Sequence, residues 1–152
     1  LAGVCDVPRN IVAAWTGTAV LTVTGTDFYD ETMSEASASG TSFAGKKAFK
    51  TITDVSVSAD VTALTVGTGD VLGIPYVLTD ESDVLGFYAD AVEEKLASVF
   101  VGAVASVATT TTGDIRGTVD PNTTLDGSVQ LYLWMHIRDN SSKRGLAGVT
   151  QA

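Results

Sequence analysis

From Val129 to Arg138 the side chains alternate without a break, with Val129, Leu131, Leu133, Met135 and Ile137 on one side and Gln130, Tyr132, Trp134, His136 and Arg138 on the other. Alternation of this length is the period of a β-strand, whose successive side chains point to opposite faces. The aliphatic side belongs in a core. The aromatic-polar side either meets a partner or lies under a second core layer, since both sides of a central strand can be covered. The same period recurs from Ile11 to Thr24, where Ile11, Ala13, Trp15, Ala19, Leu21 and Val23 oppose Thr16, Thr18, Thr22 and Thr24. Lys47, Phe49, Thr51, Thr53, Val55 and Val57 line one side of a further strand, with a bend at Ala59 or Asp60 before Val61 to Val66.

A chain of strands must reverse, and two glycine-aspartate segments stand where reversals are expected: Gly67-Thr68-Gly69-Asp70 and Thr112-Gly113-Asp114. Glycine supplies positive φ there, and aspartate bonds to neighbouring amides. Neither segment is a phosphate cradle, because neither opens a helix or carries the lysine of a nucleotide loop. Asp126-Gly127 is a hairpin signal, and Pro75 interrupts a strand expected from Val71 to Leu78. Thr26 to Gly45 is small, polar and acidic, and reads as an excursion with a short helical turn around Glu31 to Ala36. Val84 to Lys95 reads as a strand from Leu85, Phe87, Ala89 and Ala91, against a helical alternative from Tyr88, Ala91, Val92 and Lys95. Leu96 to Thr112 is a long β-branched run. The expectation is an all-β antiparallel sandwich or jelly-roll-like domain over residues 11–138 with roughly seven to nine strands. An N-terminal arm (1–10) and a C-terminal tail (139–152) would flank it.

Composition narrows the chemistry. Eighteen acidic and nine basic residues give a net charge of −9, and the basic residues are scattered. Binding to nucleic acid needs a basic stripe and is not expected. Cys5 and His136 are each single, too few for a zinc site of ordinary composition, and no G-x-S-x-G elbow accompanies His136. Asp80, Glu81, Asp83, Asp90, Glu93 and Glu94 could supply the acid pair of a glycosidase, although charges at turns and sheet edges are the commoner role for such residues. Asp120 to Gly127 has the oxygen ligands of a calcium loop but not its ordered carboxylates, and reads as a turn. The longest apolar stretch, Leu96 to Ala108, is too short and too interrupted for a membrane span. No cofactor is expected, and the chain reads as a non-enzyme.

The stretch from Thr62 to Asn122 holds Gly69-Asp70-Val71-Leu72-Gly73-Ile74-Pro75 and Thr112-Gly113-Asp114-Ile115-Arg116-Gly117-Thr118-Val119-Asp120-Pro121-Asn122. A Thr/Val/Ala-rich strand before a Gly-Asp-x-Arg-Gly-Thr-x-Asp-Pro segment resembles small β-rich virion proteins of tailed bacteriophages, with the likeness running from Val55 to Ile137. The resemblance implies a capsid decoration, or cement, protein on the capsid exterior, binding the outer surface of the major capsid protein as an oligomer, often a trimer. It brings no catalytic residue with it. On this reading Tyr132, Trp134, His136, Arg138, Lys143 and Arg144 are the candidate oligomer and capsid contacts. A carbohydrate-binding, lectin-like sandwich using Trp15, Tyr29, Tyr88 or Trp134 is the alternative, and a major capsid protein is a further one.

Overall fold

The computed structural model describes residues 2–102 and 113–138. Those residues form eleven strands and one 3-10 turn, Glu81–Asp83. The strands are β1 (Gly3–Ala19), β2 (Leu21–Thr26), β3 (Thr32–Ala36), β4 (Gly40–Ala44), β5 (Phe49–Val57) and β6 (Thr62–Gly73), followed by β7 (Val84–Ala89), β8 (Val92–Glu93), β9 (Leu96–Val101), β10 (Gly117–Pro121) and β11 (Leu131–Met135). Every pairing is antiparallel, and the strands form two sheets, so the all-β class read from the alternation is the class the chain adopts. The large sheet runs β3-β2-β5-β1-β6-β10-β9, with β4 also on β1, and the small one runs β11-β7-β8.

β1 is the seam of the large sheet. Its first part pairs with β5, its later part with β4, and its opposite edge with β6 from Arg9 to Thr16. Ile11, Ala13, Trp15 and Ala19 from β1 pack with Leu21, Val23, Met33, Phe43, Phe49 and Ile52 in one buried cluster. Met33 and Phe43 come from strands at two separate edges, so the sheet curls around this core. A second cluster, Leu72, Ile74, Leu78 and Val119, seats the small sheet through Leu131, Leu133 and Met135. The aliphatic side of the Val129–Ile137 pattern therefore faces inward, as its period requires.

Several sequence expectations are corrected, among them the strand expected from Val71 to Leu78, which ends at Gly73, and the hairpin at Asp126-Gly127, since β10 and β11 lie in different sheets. The segment expected as an arm, residues 1–10, is mostly the start of β1. Gly3 and Val4 pair with Ile52 and Thr51, and the Asn10 amide donates to the Gly45 carbonyl at 2.9 Å while its oxygen accepts from the Val71 N–H at 3.2 Å. Thr26 to Gly45 is no helical excursion but holds β3 and β4. The first glycine-aspartate segment does not turn, because β6 runs through it. Gly69 permits close approach instead, since a Cβ there would lie 2.4 Å from Asn10 Oδ1, as one on Gly73 further along β6 would lie 2.6 Å from Ala48 Cβ. Val84 to Lys95 is neither one strand nor a helix, since Asp90 and Ala91 adopt positive φ and reverse the chain between β7 and β8. The second glycine-aspartate segment does turn, with the Gly117 N–H donating to the Asp114 carbonyl at 3.1 Å. The tail from residue 139, and residues 103–112 of the β-branched run, lie outside the described residues.

Candidate functional site

Residues directly opposite in an antiparallel pair share a face. Tyr132 stands opposite Tyr88, and Trp134 opposite Gly86. These four share the outer face of the small sheet, whose inner face carries Leu131 and Leu133. The outer row is not a second core layer: Tyr132 is 50% exposed and Trp134 62%. The Tyr88 and Trp134 rings lie 5.8 Å apart at 48°, a tilted pair of ordinary geometry. Gly86 leaves room for it, because a Cβ there would lie 3.3 Å from the Tyr88 ring. At the rim, Met135 pairs with Val84 while Trp134 pairs with Gly86, so Leu85 is the extra residue of a bulge and is 68% exposed.

His136 and Arg138 continue the row past the end of β11. His136 Nδ1 is 3.6 Å from Asp83 Oδ1, and its backbone N–H donates to the Asp83 carbonyl at 2.7 Å. Arg138 Nε donates to the same carboxylate at 2.6 Å, and Thr79 Oγ1 donates to its other oxygen at 2.9 Å. The hydrogen bond from Arg138 is the main cause holding Asp83 below the usual carboxylate range, against the opposing effect of burial. Arg138 is thus tied to its own chain through one edge of its guanidinium, with its side chain still about half exposed. Lys143 and Arg144 lie outside the described residues.

The other residues considered from sequence are dispersed. Trp15 is 5% exposed inside the core, so it offers no platform to a ligand. Tyr29 donates its hydroxyl to the Pro75 carbonyl at 2.7 Å. Among the acidic residues, Asp80 caps the 3-10 turn through Ser82, Asp90 accepts from the Gln130 N–H, and Glu94 holds the Thr123 amide and hydroxyl. Each braces a turn or a strand end. In the calcium-like loop, Asn122 donates to the Lys95 carbonyl and Asp126 accepts from Ser128, so the oxygens serve separate contacts. Among the described residues no group of three acidic, histidine or cysteine side chains is placed to hold a metal ion.

Sequence reasoning missed a buried charged cluster. Asp27, Glu35, Lys47, Asp114 and Arg116 are each at most 3% exposed. Arg116 Nη2 meets Asp27 Oδ2 at 2.8 Å and Asp114 Oδ1 at 3.8 Å, and its guanidinium carbon lies 5.5 Å from the centre of the Tyr29 ring. Glu35 accepts from the backbone amides of Lys46 and Lys47 at 2.6 and 3.2 Å, while Lys47 Nζ donates to the Ser34 carbonyl at 2.9 Å. Asp114 Oδ2 accepts from the Ala48 amide at 3.3 Å. The cluster welds the β2–β3 turn, the β4–β5 connection and the Asp114 turn together. Enclosure and the contacts that tie its members to three separate segments make it a structural joint.

Burial pushes Glu35 and Asp114 up and Lys47 down. A carboxyl raised on folding contributes stability that is fully present below its ordinary value, 4.5 for Glu35, and is lost as pH rises through the folded value. Glu35→Gln cannot ionise and lacks this dependence. The stability of the native chain relative to Glu35→Gln is therefore expected to be greater at pH 4.5 than at pH 7, read from urea midpoints of the two proteins. A difference that is constant or grows with pH would contradict the assignment.

Comparison with family models, with curated proteins and with solved structures found no match.

Proposed function

We propose that the chain is a non-enzymatic assembly protein that docks through the outer face of its small sheet, decorating and stabilising a phage capsid from outside. The observation that carries this reading is the exposed aromatic face itself: Trp134, Tyr132 and Tyr88 stand on a sheet whose other side is anchored in the second core. Large aromatic side chains are enriched where proteins bind one another, and a rigid sheet presents them with little further loss of freedom. The acidic residues brace local structure, and the buried charges are enclosed and tie separate segments together, which fits a permanent structural part. The resemblance to tailed-phage virion proteins names the partner: the outer surface of the major capsid protein, met by an oligomer of this chain. Among the described residues no helix is long and apolar enough to cross a membrane.

The test is sedimentation with capsids that lack their decoration. Trp134→Ala should lower capsid affinity by roughly 30-fold, the effect of a central aromatic contact. Its unfolding free energy should change by about 1 kcal/mol or less, since the side chain is mostly in water. Unchanged binding by a folded Trp134→Ala protein sinks the docking surface.

One observation also favours the lectin-like reading. The Tyr88–Trp134 pair is a ready stacking surface for a sugar ring, although Trp15 no longer belongs to that set. Saturable binding on a glycan array, abolished by Trp134→Ala, would select it over capsid docking.

A further inference from the structure

Strand β6 changes character along its length. At Leu72 and Gly73 it lies between β1 and β10. From Thr62 to Gly69 it pairs with β1 on one side, and no other described strand pairs with its opposite edge. Thr62, Ala63, Leu64, Thr65, Gly67 and Thr68 are all exposed, Leu64 by 41%. Such an edge presents a row of unpaired amides and carbonyls, which proteins ordinarily blunt with lysine, proline or an inward charge. No lysine, proline or charged residue occurs between Val61 and Gly69, and the irregularity within the stretch is a register shift against β1 between Thr62 and Thr65, where Ala63 has φ +52°. In a chain of net charge −9, this stretch is a neutral edge where like-charged copies can approach.

The flanking charges select both the occupant and its direction. Asp60 and Asp70 bracket the edge. A parallel copy in register would set each aspartate against its twin. An antiparallel copy centred on Val66 sets Thr65 opposite Gly67 and keeps the two Asp70 residues at opposite ends of the paired stretch, so no aspartate stands directly opposite its twin. That register also keeps the outer faces of the two sheets on one side. Space over Gly67 is open, and a shallow hollow of about 380 Å³ lined by Val12, Ala14, Thr65 and Gly67 adjoins it. The same neutral, threonine-rich stretch satisfies both sides of a two-fold pair.

We propose that the Thr62–Gly69 edge pairs antiparallel with the same edge of a second copy, joining two large sheets into one across a two-fold axis. The contact is separate from the aromatic face and leaves that face free on each copy. Main-chain hydrogen bonds supply the attraction, as in other strand-addition interfaces.

Light scattering on the purified chain should give twice the 15.7 kDa subunit mass. A Leu64→Lys, Thr68→Lys double variant should fall to one subunit with an unchanged circular dichroism spectrum. Amide exchange on the native chain over a concentration series supplies a readout independent of the variant's folding, with protection at residues 62–69 rising as concentration rises. The proposal is overturned by a single-subunit mass up to the solubility limit or by a three-subunit mass. It is equally overturned by concentration-dependent protection on the β9 edge, Leu96–Val101, in place of residues 62–69. The docking reading fails separately: capsid binding lost in Trp134→Ala with the dimer intact supports both, whereas binding unchanged in that variant removes only the capsid face.

Discussion

Arg116→Met is expected to lower the free energy of unfolding by about 4 kcal/mol, a large share of what a domain of this size possesses. Arg116 is 1% exposed, and Asp27, its partner at 2.8 Å, is fully enclosed. Removing the guanidinium leaves the Asp27 carboxylate without its counter-charge in a place water does not reach, and removes the cation from beside the Tyr29 ring. Methionine fills much of the volume, so the loss measures the stranded charge rather than a cavity. Combining the variant with Asp27→Asn separates the two effects. Asparagine keeps an oxygen for the Tyr29 and Glu31 amides that Asp27 Oδ1 now accepts from, at 2.8 and 3.0 Å. The double variant should therefore recover roughly 1–2 kcal/mol relative to Arg116→Met alone, by analogy with other buried pairs. Urea denaturation of the three proteins checks this, and a double variant less stable than Arg116→Met would refute the stranded-charge account.

Gly117→Ala is expected to cost about 3 kcal/mol, which corresponds to a fall in thermal midpoint of roughly 10 °C. Gly117 has φ +87°, a conformation that L-residues rarely adopt, and its added Cβ would lie 2.3 Å from the Phe100 carbonyl oxygen and 2.9 Å from the Gly102 nitrogen. Those are backbone atoms of β9 and its continuation, held by the pairing of Gly117 with Val101. No side chain can swing away to relieve the contact. Calorimetry gives the midpoint directly, and a shift of less than a few degrees would mean that β9 yields more easily than its pairing indicates. Gly113→Ala is the natural control, because nothing lies within 4 Å of a Cβ at that position.

The sequence was legible wherever alternation was carried by several large residues. Leu131, Leu133 and Met135 face the core and Tyr132 and Trp134 face water, as their spacing requires. The Ile11–Val23 pattern is the inner face of β1 and β2. Legibility failed where a single residue carried the pattern. β3 has only Met33, and β4 only Phe43, as a large buried apolar side chain, while Glu35 is buried in β3 because two backbone amides receive its carboxylate. Hydrophobic periodicity cannot register a strand of that kind. It failed again at Gly69 and Gly73, which look like turn residues but are small because Asn10, Pro8 and Ala48 crowd against the backbone. The charged joint was invisible for a related reason: its members are far apart in the chain, and a charged residue taken singly is assigned to the surface by default. Of the candidate site, the aromatic row was readable from β11 alone. Its partners Tyr88 and Gly86 depended on a cross-strand register that the sequence of β7 does not declare.

The shared strand β1 sets the order in which this chain can become a protein. Gly3–Ala19 meets β4 only at Gly40–Ala44, β5 at Phe49–Val57 and β6 at Thr62–Gly73. No nearer segment completes its two edges. Until those segments arrive β1 is an uncommitted strand, and its closure waits on contacts distant in sequence. Chains dominated by such contacts fold slowly, so the rate of folding, more than final stability, should govern how much of this protein reaches its native state.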